Sequence, residues 1–215
     1  MHKPDDCNLG LYHTHTEVKE ERTMIRLGWT VGIVLTVVLG ALPTAAQDAA
    51  KKSGPPRQIG VSQAILEQWN DVGRKLITMA EDFPEDKYDF KPTPGQRSFA
   101  EQLLHMAGAN YFFTNIVNGQ APPAQEDPSR AKYKTKAEVV AFVKKSFDDG
   151  AAAIKAKGDT GMTGPLVDPF ENEQVRAYDW AYGFIEHCGE HYGQLAVYYR
   201  VAGLVPPESR PKPKT

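Results

Sequence analysis

The sequence has few cysteines and little imbalance of charge. Its 215 residues include only two cysteines, Cys7 and Cys188, too few for a disulfide framework. The 25 basic and 27 acidic side chains nearly cancel, and no block of one sign is long enough to suggest a nucleic-acid partner. Internal repeats are also missing. These absences leave one domain of ordinary size as the simplest organisation.

The N-terminal part lacks an apolar run of transmembrane length. The run Leu27–Leu42 is shorter than the about 20 residues that a spanning helix needs. It follows a basic residue and ends in small residues, as a secretory signal peptide does. We therefore predict a signal peptide over 24–46, with Thr44 and Ala46 just before the cleavage site. An uncleaved anchor is the alternative. The expected product is periplasmic or secreted, with no stable membrane insertion after cleavage.

The other boundaries follow from local composition. Residues 1–23 are polar and precede Met24, which would make a normal start, so we expect them to be non-native or unstructured. Residues 47–59, with two prolines among polar side chains, are predicted to form a flexible linker. We expect the folded domain over 60–207 and a disordered tail over 208–215.

Apolar residues recur at three- and four-residue steps in four segments, which is typical of amphipathic helices. The predicted helices span about 61–82, 98–117, 135–156 and 176–203. The motifs S-x-x-E at Ser98 and T-x-x-E at Thr135 predict capping boxes at two of the helix starts. We expect seven large apolar side chains to be buried: Phe99, Leu103, Phe113, Phe142, Phe147, Phe184 and Leu195.

Four such helices without a convincing strand pair predict an all-α fold, a four-helix bundle. The connection after helix two, over 120–134, contains prolines, and the connection after helix three, over 158–174, contains prolines and glycines. Both are longer than adjacent antiparallel helices need. The sequence therefore allows a topology other than a simple up-down-up-down bundle.

Histidine is scarce once residues 1–46 are set aside, since only His105, His187 and His191 remain. His187 and His191 are four residues apart on the fourth helix, so their Cβ atoms lie about 6 Å apart on one face. This spacing lets two neutral imidazoles bind one metal ion. His105 lies in a central turn of helix two, at a compatible depth.

Metal sites in helical bundles are built from side chains on facing helices. We therefore predict that His105, His187 and His191 hold one divalent metal ion, with Zn²⁺ or Ni²⁺ expected. Core or surface histidines satisfied by hydrogen bonds are the alternative. Three protein ligands leave an open position for water or substrate, as in catalytic zinc sites. Neutral imidazole is the ligand form, so we expect metal affinity to weaken as the pH falls through about 6.5.

Several neighbours of these histidines have two interpretations each. Inside a helix, Gly189 and Gly193 each lower stability by about 1 kcal/mol relative to Ala. Glycines present at that cost suggest that a backbone or a ligand approaches the helix closely, and their occurrence by chance is the alternative. Cys188 falls on the apolar stripe and is expected to be buried. Glu101, one turn before His105, either accepts a hydrogen bond from its ring or completes the capping box.

The segment His187–His191 also spells H-x-x-E-H, the inverted zinc-protease motif, in which Glu190 would be the general base. Glu190 is adjacent to His191, so it points about 100° away around the helix. The only acidic residue after His191 is Glu208, in a proline-rich tail. Both facts disfavour a protease of this type.

The segments SFAEQLLHMAGANYFF and EHCGEHYGQLAVYYRVAGLVPPESR resemble the DinB (damage-inducible, YfiT-like) superfamily, and the resemblance spans roughly residues 60–210. It implies a four-helix bundle whose metal is held by one histidine of helix two and two of helix four. Those positions match His105, His187 and His191. It also implies thiol-dependent chemistry, because characterised relatives include S-transferases and isomerases that use low-molecular-weight thiols. Such thiols are mainly cytoplasmic, so expected export leaves metal-activated water as an alternative nucleophile.

Two classes of function remain open. The first is an exported metal-dependent enzyme, a hydrolase or a thiol S-transferase, whose small-molecule substrate the sequence does not name. The second is a bundle that holds a metal or small ligand without turnover, with a homodimer as one form. A fourth protein ligand on the metal would favour the second class, and an open position beside a cleft would favour the first.

Overall fold

The computed structural model describes residues 57–123 and 127–212 and contains four long helices. They are α1 Val61–Asp82, α2 Phe99–Val117, α3 Lys136–Thr163 and α4 Ala177–Val201. Two 3₁₀ turns cover Glu85–Lys87 and Pro207–Ser209. The predicted all-α four-helix bundle is confirmed. The predicted N-terminal extension, the signal peptide and most of the linker lie outside the described residues.

A short antiparallel hairpin joins α3 to α4, although no strand pair was expected. Its strands are β1 Pro165–Val167 and β2 Gln174–Arg176, with Leu166 opposite Val175. Each strand has three residues, so neither is long enough to display the alternation of apolar and polar side chains that identifies a strand. The hairpin therefore gave no detectable signal in the sequence.

Both predicted capping boxes are present. The Ser98 hydroxyl accepts from the Glu101 backbone N–H at 3.2 Å, and the Glu101 carboxylate accepts from the Ser98 N–H at 2.6 Å. Thr135 and Glu138 repeat this exchange at 3.2 and 2.8 Å. These bonds satisfy amide groups that the first turn of a helix leaves without partners. They fix where α2 and α3 begin.

Helix α3 is broken near the predicted end of the third helix. Gly158 has φ +58° and non-helical geometry, and the chain then continues as helix to Thr163. A positive φ is costly for residues with a Cβ, so glycine suits this position. The prediction of an end at 156 describes the first segment and misses the turns after the break.

The helices do not pack in chain order. Both α1 and α2 pack against α3 and α4, which places α1 and α2 at opposite corners of the bundle. The long connections allow this arrangement, because each can cross the end of the bundle. As a result α2 and α4, which carry the three histidines, are direct neighbours.

Aromatic rings of α1, α2 and α3 pack together inside the bundle. We call Trp69 of α1, Phe113 of α2, and Phe147 and Gly150 of α3 the tryptophan core. The Trp69 ring lies 5.1 Å from Phe113 and 5.4 Å from Phe147, between ring centroids. Its indole N–H donates to the Phe147 carbonyl at 2.9 Å. A Cβ on Gly150 would lie 2.2 Å from the Trp69 ring, so glycine here permits close approach of the helices.

The expected burial is correct for five of the seven side chains: Phe99, Leu103, Phe113, Phe147 and Leu195. Phe142 and Phe184 are only half-buried. Phe142 packs at the rim of the bundle against Tyr111, with ring centroids 5.3 Å apart. Phe184 stacks on Trp180 at 5.7 Å. In the part of the chain that the structure describes, no helix combines the length and apolar character needed to cross a membrane.

Candidate metal centre

The three predicted histidines converge at the interface of α2 and α4. His105 and His191 are each 5% exposed, while His187 is half-buried. One ring nitrogen from each histidine lies within 4.8 Å of those of the other two. Among the described residues, no cysteine or carboxylate belongs to this group, which we call the histidine cluster.

The spacing within the histidine cluster fits one metal ion. The Nε2 atoms of His187 and His191 lie 3.1 Å apart. Two nitrogen ligands of a tetrahedral ion, each bonded at about 2.0–2.1 Å, would lie about 3.3 Å apart. The His105 ring centroid lies 5.4 Å from that of His187 and 5.0 Å from that of His191. Imidazole donors suit divalent transition metals such as zinc, copper and nickel.

Burial keeps two of the imidazoles neutral. Desolvation, followed by the proximity of His105, lowers the pKa of His187 from 6.5 to about 4. Desolvation, followed by the proximity of His187, lowers the pKa of His191 to about 3. Both rings are therefore in the ligand form at neutral pH. Proton competition at these two rings should begin below the value of about 6.5 that the sequence alone suggested.

Each ring of the α4 pair has a nitrogen atom without a hydrogen-bond partner in the protein. The Nδ1 atoms of His187 and His191 are buried and unpartnered among the described residues. Buried polar atoms are normally paired with protein groups or ordered water. The two rings meet through their Nε2 atoms, 3.1 Å apart, and the unpaired Nδ1 atoms make this pair less completely satisfied than an ordinary polar core.

His105 has a partner that sequence reasoning missed. Its Nδ1 makes a hydrogen bond with the carboxylate of Asp127, in the connection after α2. The other Asp127 oxygen accepts from the Arg97 guanidinium at 2.9 Å. Because of His105 first and Arg97 second, the pKa of Asp127 falls to about 2. The connection is long enough to fold back onto α2, but no periodicity marked this aspartate.

Glu101 does not orient His105. Its carboxylate is engaged by the Ser98 N–H and by Lys91 at 3.1 Å, so the capping interpretation is correct. Tyr198 lies beside this region, and its hydroxyl donates to the Arg97 carbonyl at 2.5 Å. That bond connects α4 to the residue that holds Asp127.

Other residues near the cluster have structural roles. Cys188 is fully buried, as expected, and its thiol donates to Asn110 Oδ1 at 3.3 Å. Burial raises the pKa of this thiol, which makes it a poor nucleophile. Glu190 is exposed and outside the cluster. A Cβ on Gly189 or Gly193 would meet no atom of the described residues within 4 Å, so the expected close approach of backbone is not found for this part of the chain.

Two surfaces border the site. Four nearly parallel aromatic rings begin at Phe170 in the hairpin and end at Phe184, whose ring lies 6.3 Å from that of His187. A cleft of about 510 Å³ is lined by Arg97, Glu101 and Asp127 among others, and it meets the site through Asp127 because none of the three histidines lines it. This volume is in the range of small-molecule sites, about 300–1,000 Å³.

Solved structures share this fold at low sequence identity. A DinB-like protein from Bacillus cereus gives a TM-score of 0.57 at 16% identity, covering 67% of this chain and 95% of the other. The DinB-like protein YjoA from Bacillus subtilis gives 0.54 at 21% identity, with coverage of 65% and 92%. YfiT from Bacillus subtilis gives 0.55 at 14% identity, with coverage of 71% and 94%. YfiT is described as a probable metal-dependent hydrolase with an unusual four-helix bundle topology.

The comparison with family models is more specific than the structural likeness. No curated protein sequence gives a significant match to the chain. The model of the DinB superfamily matches residues 68–195, which include α2, α3 and all three histidines of the cluster. This match covers more than half of the chain. The protein belongs to the DinB superfamily.

Proposed function

We propose that this protein is an exported metal-dependent hydrolase in which His105, His187 and His191 bind one divalent ion, Zn²⁺ or Ni²⁺. The observation that carries the proposal is the convergence of three ring nitrogens within 4.8 Å of one another. Among the described residues, no fourth histidine, cysteine or carboxylate joins them. Three protein ligands with an open position are typical of catalytic rather than structural zinc sites.

Neither Cys188 nor Glu190, the reactive side chains beside the α4 histidines, is placed to act as the nucleophile. Cys188 is fully buried and its pKa is raised, while Glu190 is on the surface. A divalent ion in the site would lower the pKa of a bound water or thiol and supply the nucleophile. Water is favoured over a thiol here because the sequence predicts export. YfiT, with the same fold, is described as a probable metal-dependent hydrolase.

The protein's part in this chemistry is to hold the three rings in place and to keep two of them neutral. Burial keeps His187 and His191 in the neutral form, so neither has to lose a proton before it binds metal. The cleft beside Asp127 is large enough for a small substrate. Its lining carries both signs of charge, since it includes Lys91 and Arg130 as well as Glu101 and Asp127.

Metal stoichiometry of purified protein tests the site. We expect one equivalent of divalent metal in the wild type and a loss of most of it in His105→Ala, His187→Ala and His191→Ala. The matched controls are Cys188→Ala and Glu190→Ala, which change neighbouring residues on the same helix and should retain the metal. A full equivalent of metal in His105→Ala would contradict the three-histidine site.

Activity assays separate the classes of function. The metal-loaded protein is offered activated esters and amides in one series, and a low-molecular-weight thiol with an electrophilic acceptor in a second. Turnover in the first series alone, lost with His191→Ala, supports a hydrolase. Turnover only with the thiol indicates an S-transferase. Tight metal binding with no turnover in either series would favour the binding module.

Export is tested separately from catalysis. The Met24–Ala46 pattern and the polar segment after it support cleavage near Gln47. N-terminal sequencing of protein recovered from the native host should give a chain that starts close to Gln47 in the periplasmic or secreted fraction. A chain that retains Met1 in the cytoplasm would contradict this part of the proposal.

A further inference from the structure

We propose that Asp127 is the positioning residue of the metal centre, fixing the tautomer and orientation of His105. The proposal rests on the metal site proposed above. Its first support is the contact itself, because the Asp127 carboxylate accepts a hydrogen bond from Nδ1 of His105. A carboxylate only accepts, so this ring nitrogen carries the proton. In the neutral ring, Nε2 of His105 is thereby left with its lone pair available for a metal ion.

The other two histidines have no comparable partner. The Nδ1 atoms of His187 and His191 are buried without a hydrogen-bond partner among the described residues. Their positions are set by the i, i+4 spacing on α4. His105 comes alone from α2, so its ring has no neighbour on its own helix that fixes where Nε2 points. A carboxylate on Nδ1 supplies that constraint.

Asp127 is itself held from two directions. Its Oδ2 accepts from the Arg97 guanidinium at 2.9 Å, while Oδ1 is engaged by His105. The Arg97 carbonyl accepts from the Tyr198 hydroxyl at 2.5 Å, and Tyr198 is 3% exposed on α4. A continuous set of hydrogen bonds therefore runs from α4 through Arg97 and Asp127 to His105. The connection after α2 takes part in the site through this aspartate.

Glu101 provides a comparison on the same helix. It lies one turn from His105, yet its carboxylate is engaged by the Ser98 N–H and by Lys91. It is an acid of similar exposure, with 36% of its side chain exposed against 50% for Asp127. A change at Glu101 therefore alters charge near the site without removing a bond to His105. Asp89, paired with Arg130 at 2.8 Å, is a second control in a connection.

The test measures Zn²⁺ affinity by competition with a chromophoric chelator, on the wild type, Asp127→Asn, Asp127→Ala, Glu101→Gln and Asp89→Asn. Loss of a carboxylate behind a metal-binding histidine weakens affinity by about 10–100-fold. We expect that loss for the Asp127 variants, with one equivalent still bound at saturation. The two controls should stay within about twofold of the wild type, since neither touches a ligand.

A second readout does not need metal. In the metal-free wild type, the ring nitrogen chemical shifts of His105 should report a single tautomer protonated at Nδ1. In Asp127→Ala they should report a mixture of tautomers, because no acceptor fixes the proton. Thermal unfolding of the metal-free variant verifies that the fold is retained, which separates positioning from a structural role.

The outcomes are distinct from those of the metal proposal. Unchanged affinity and an unchanged His105 tautomer in Asp127→Ala would overturn the positioning role. Complete loss of metal in Asp127→Asn at saturating Zn²⁺ would also overturn it, because Asp127 would then be a ligand. If the wild type binds no Zn²⁺, the proposed function fails. The tautomer of His105 in the metal-free proteins still decides the role of Asp127.

Discussion

The tryptophan core and the histidine cluster are both buried between helices, but they differ in whether their buried polar atoms have hydrogen-bond partners. In the tryptophan core, the single indole N–H of Trp69 is paired with the Phe147 carbonyl at 2.9 Å. In the histidine cluster, the Nδ1 atoms of His187 and His191 have no partner among the described residues. An unpaired buried polar group costs about 1–3 kcal/mol, so the cluster gives up stability that the core keeps.

This difference separates the part of the bundle that specifies the fold from the part that serves a ligand. The tryptophan core is close-packed and its buried N–H is paired, so it needs no ligand to complete its hydrogen bonds. Three converging imidazoles, two of them neutral, would be stabilised by an ion bound between them, for example at the facing Nε2 atoms of His187 and His191. The comparison therefore predicts that changes in the core lower the stability of the fold without altering metal binding, and that changes in the cluster remove metal binding while the protein still folds.

The largest effect is expected from Trp69→Ala. Removing a fully buried tryptophan should cost about 3–5 kcal/mol of unfolding free energy, because a cavity remains between α1 and α3. Trp180→Ala is the matched control and should cost less, since Trp180 is only half-buried. Urea denaturation gives both values. The folded Trp69→Ala protein should still bind one equivalent of metal, and loss of metal from it would break the comparison.

Metal binding should stabilise the cluster and leave the core unaffected. At a free metal concentration about 100 times the Kd, the wild type should gain about 2.7 kcal/mol of unfolding free energy. Trp69→Ala should gain the same increment from its lower starting value. His191→Ala should gain little. Paired urea titrations, with metal and with chelator, measure the increments, and an equal increment in His191→Ala would contradict the proposed site.

The metal-free protein should become less stable as the pH falls below 6.5. The unfolded chain takes up protons on His187 and His191 near pH 6.5, whereas the folded chain, with pKa values of about 4 and 3, does not. The unfolded state therefore binds more protons between those limits, and stability rises with pH across them. The slope is on the order of 1 kcal/mol per pH unit for each histidine. Arg97, His105 and Asp127 are the charged or titratable groups nearby.

Urea denaturation of chelator-treated protein at pH 7.5 and pH 5 measures this effect. A variant with His187→Gln and His191→Gln should lose most of the pH dependence, while the Trp69→Ala protein should keep it. If the double variant lost as much stability between pH 7.5 and pH 5 as the wild type, the titrating groups would lie outside the histidine cluster.

Local signals in the sequence predicted the fold and the three histidines. The capping boxes at Ser98 and Thr135 mark helix starts within a few residues, and i, i+4 spacing places His187 and His191 on one face whatever surrounds them. His105 could be predicted as the third member because the depth of a residue along a helix can be counted from the helix ends. Each inference uses geometry that a single helix determines.

The features that sequence reasoning missed depend on distant contacts. Asp127 meets His105 across 22 positions of the chain, and nothing in the residues around it signals that the connection folds back. Glu101, the nearer acid, was the natural candidate but is used by its own capping box. The half-burial of Phe142 and Phe184 depends on which neighbours cover them, which periodicity alone does not specify.

The smallest expected effect compares glycines of the two regions. Gly189 and Gly193 are exposed, and an added Cβ would meet no atom of the described residues within 4 Å, so Gly→Ala at each should stabilise the metal-free protein by up to about 1 kcal/mol. Gly150→Ala should destabilise by about 1–3 kcal/mol, because its Cβ would lie 2.2 Å from the Trp69 ring. The same Gly→Ala substitution is therefore expected to raise stability where the surroundings are open and to lower it where they are filled. If Gly189→Ala weakens substrate turnover while the metal-free protein gains stability, a ligand approaches this helix face. A loss of metal-free stability at Gly189 and Gly193 would instead mean that α4 is packed against something there.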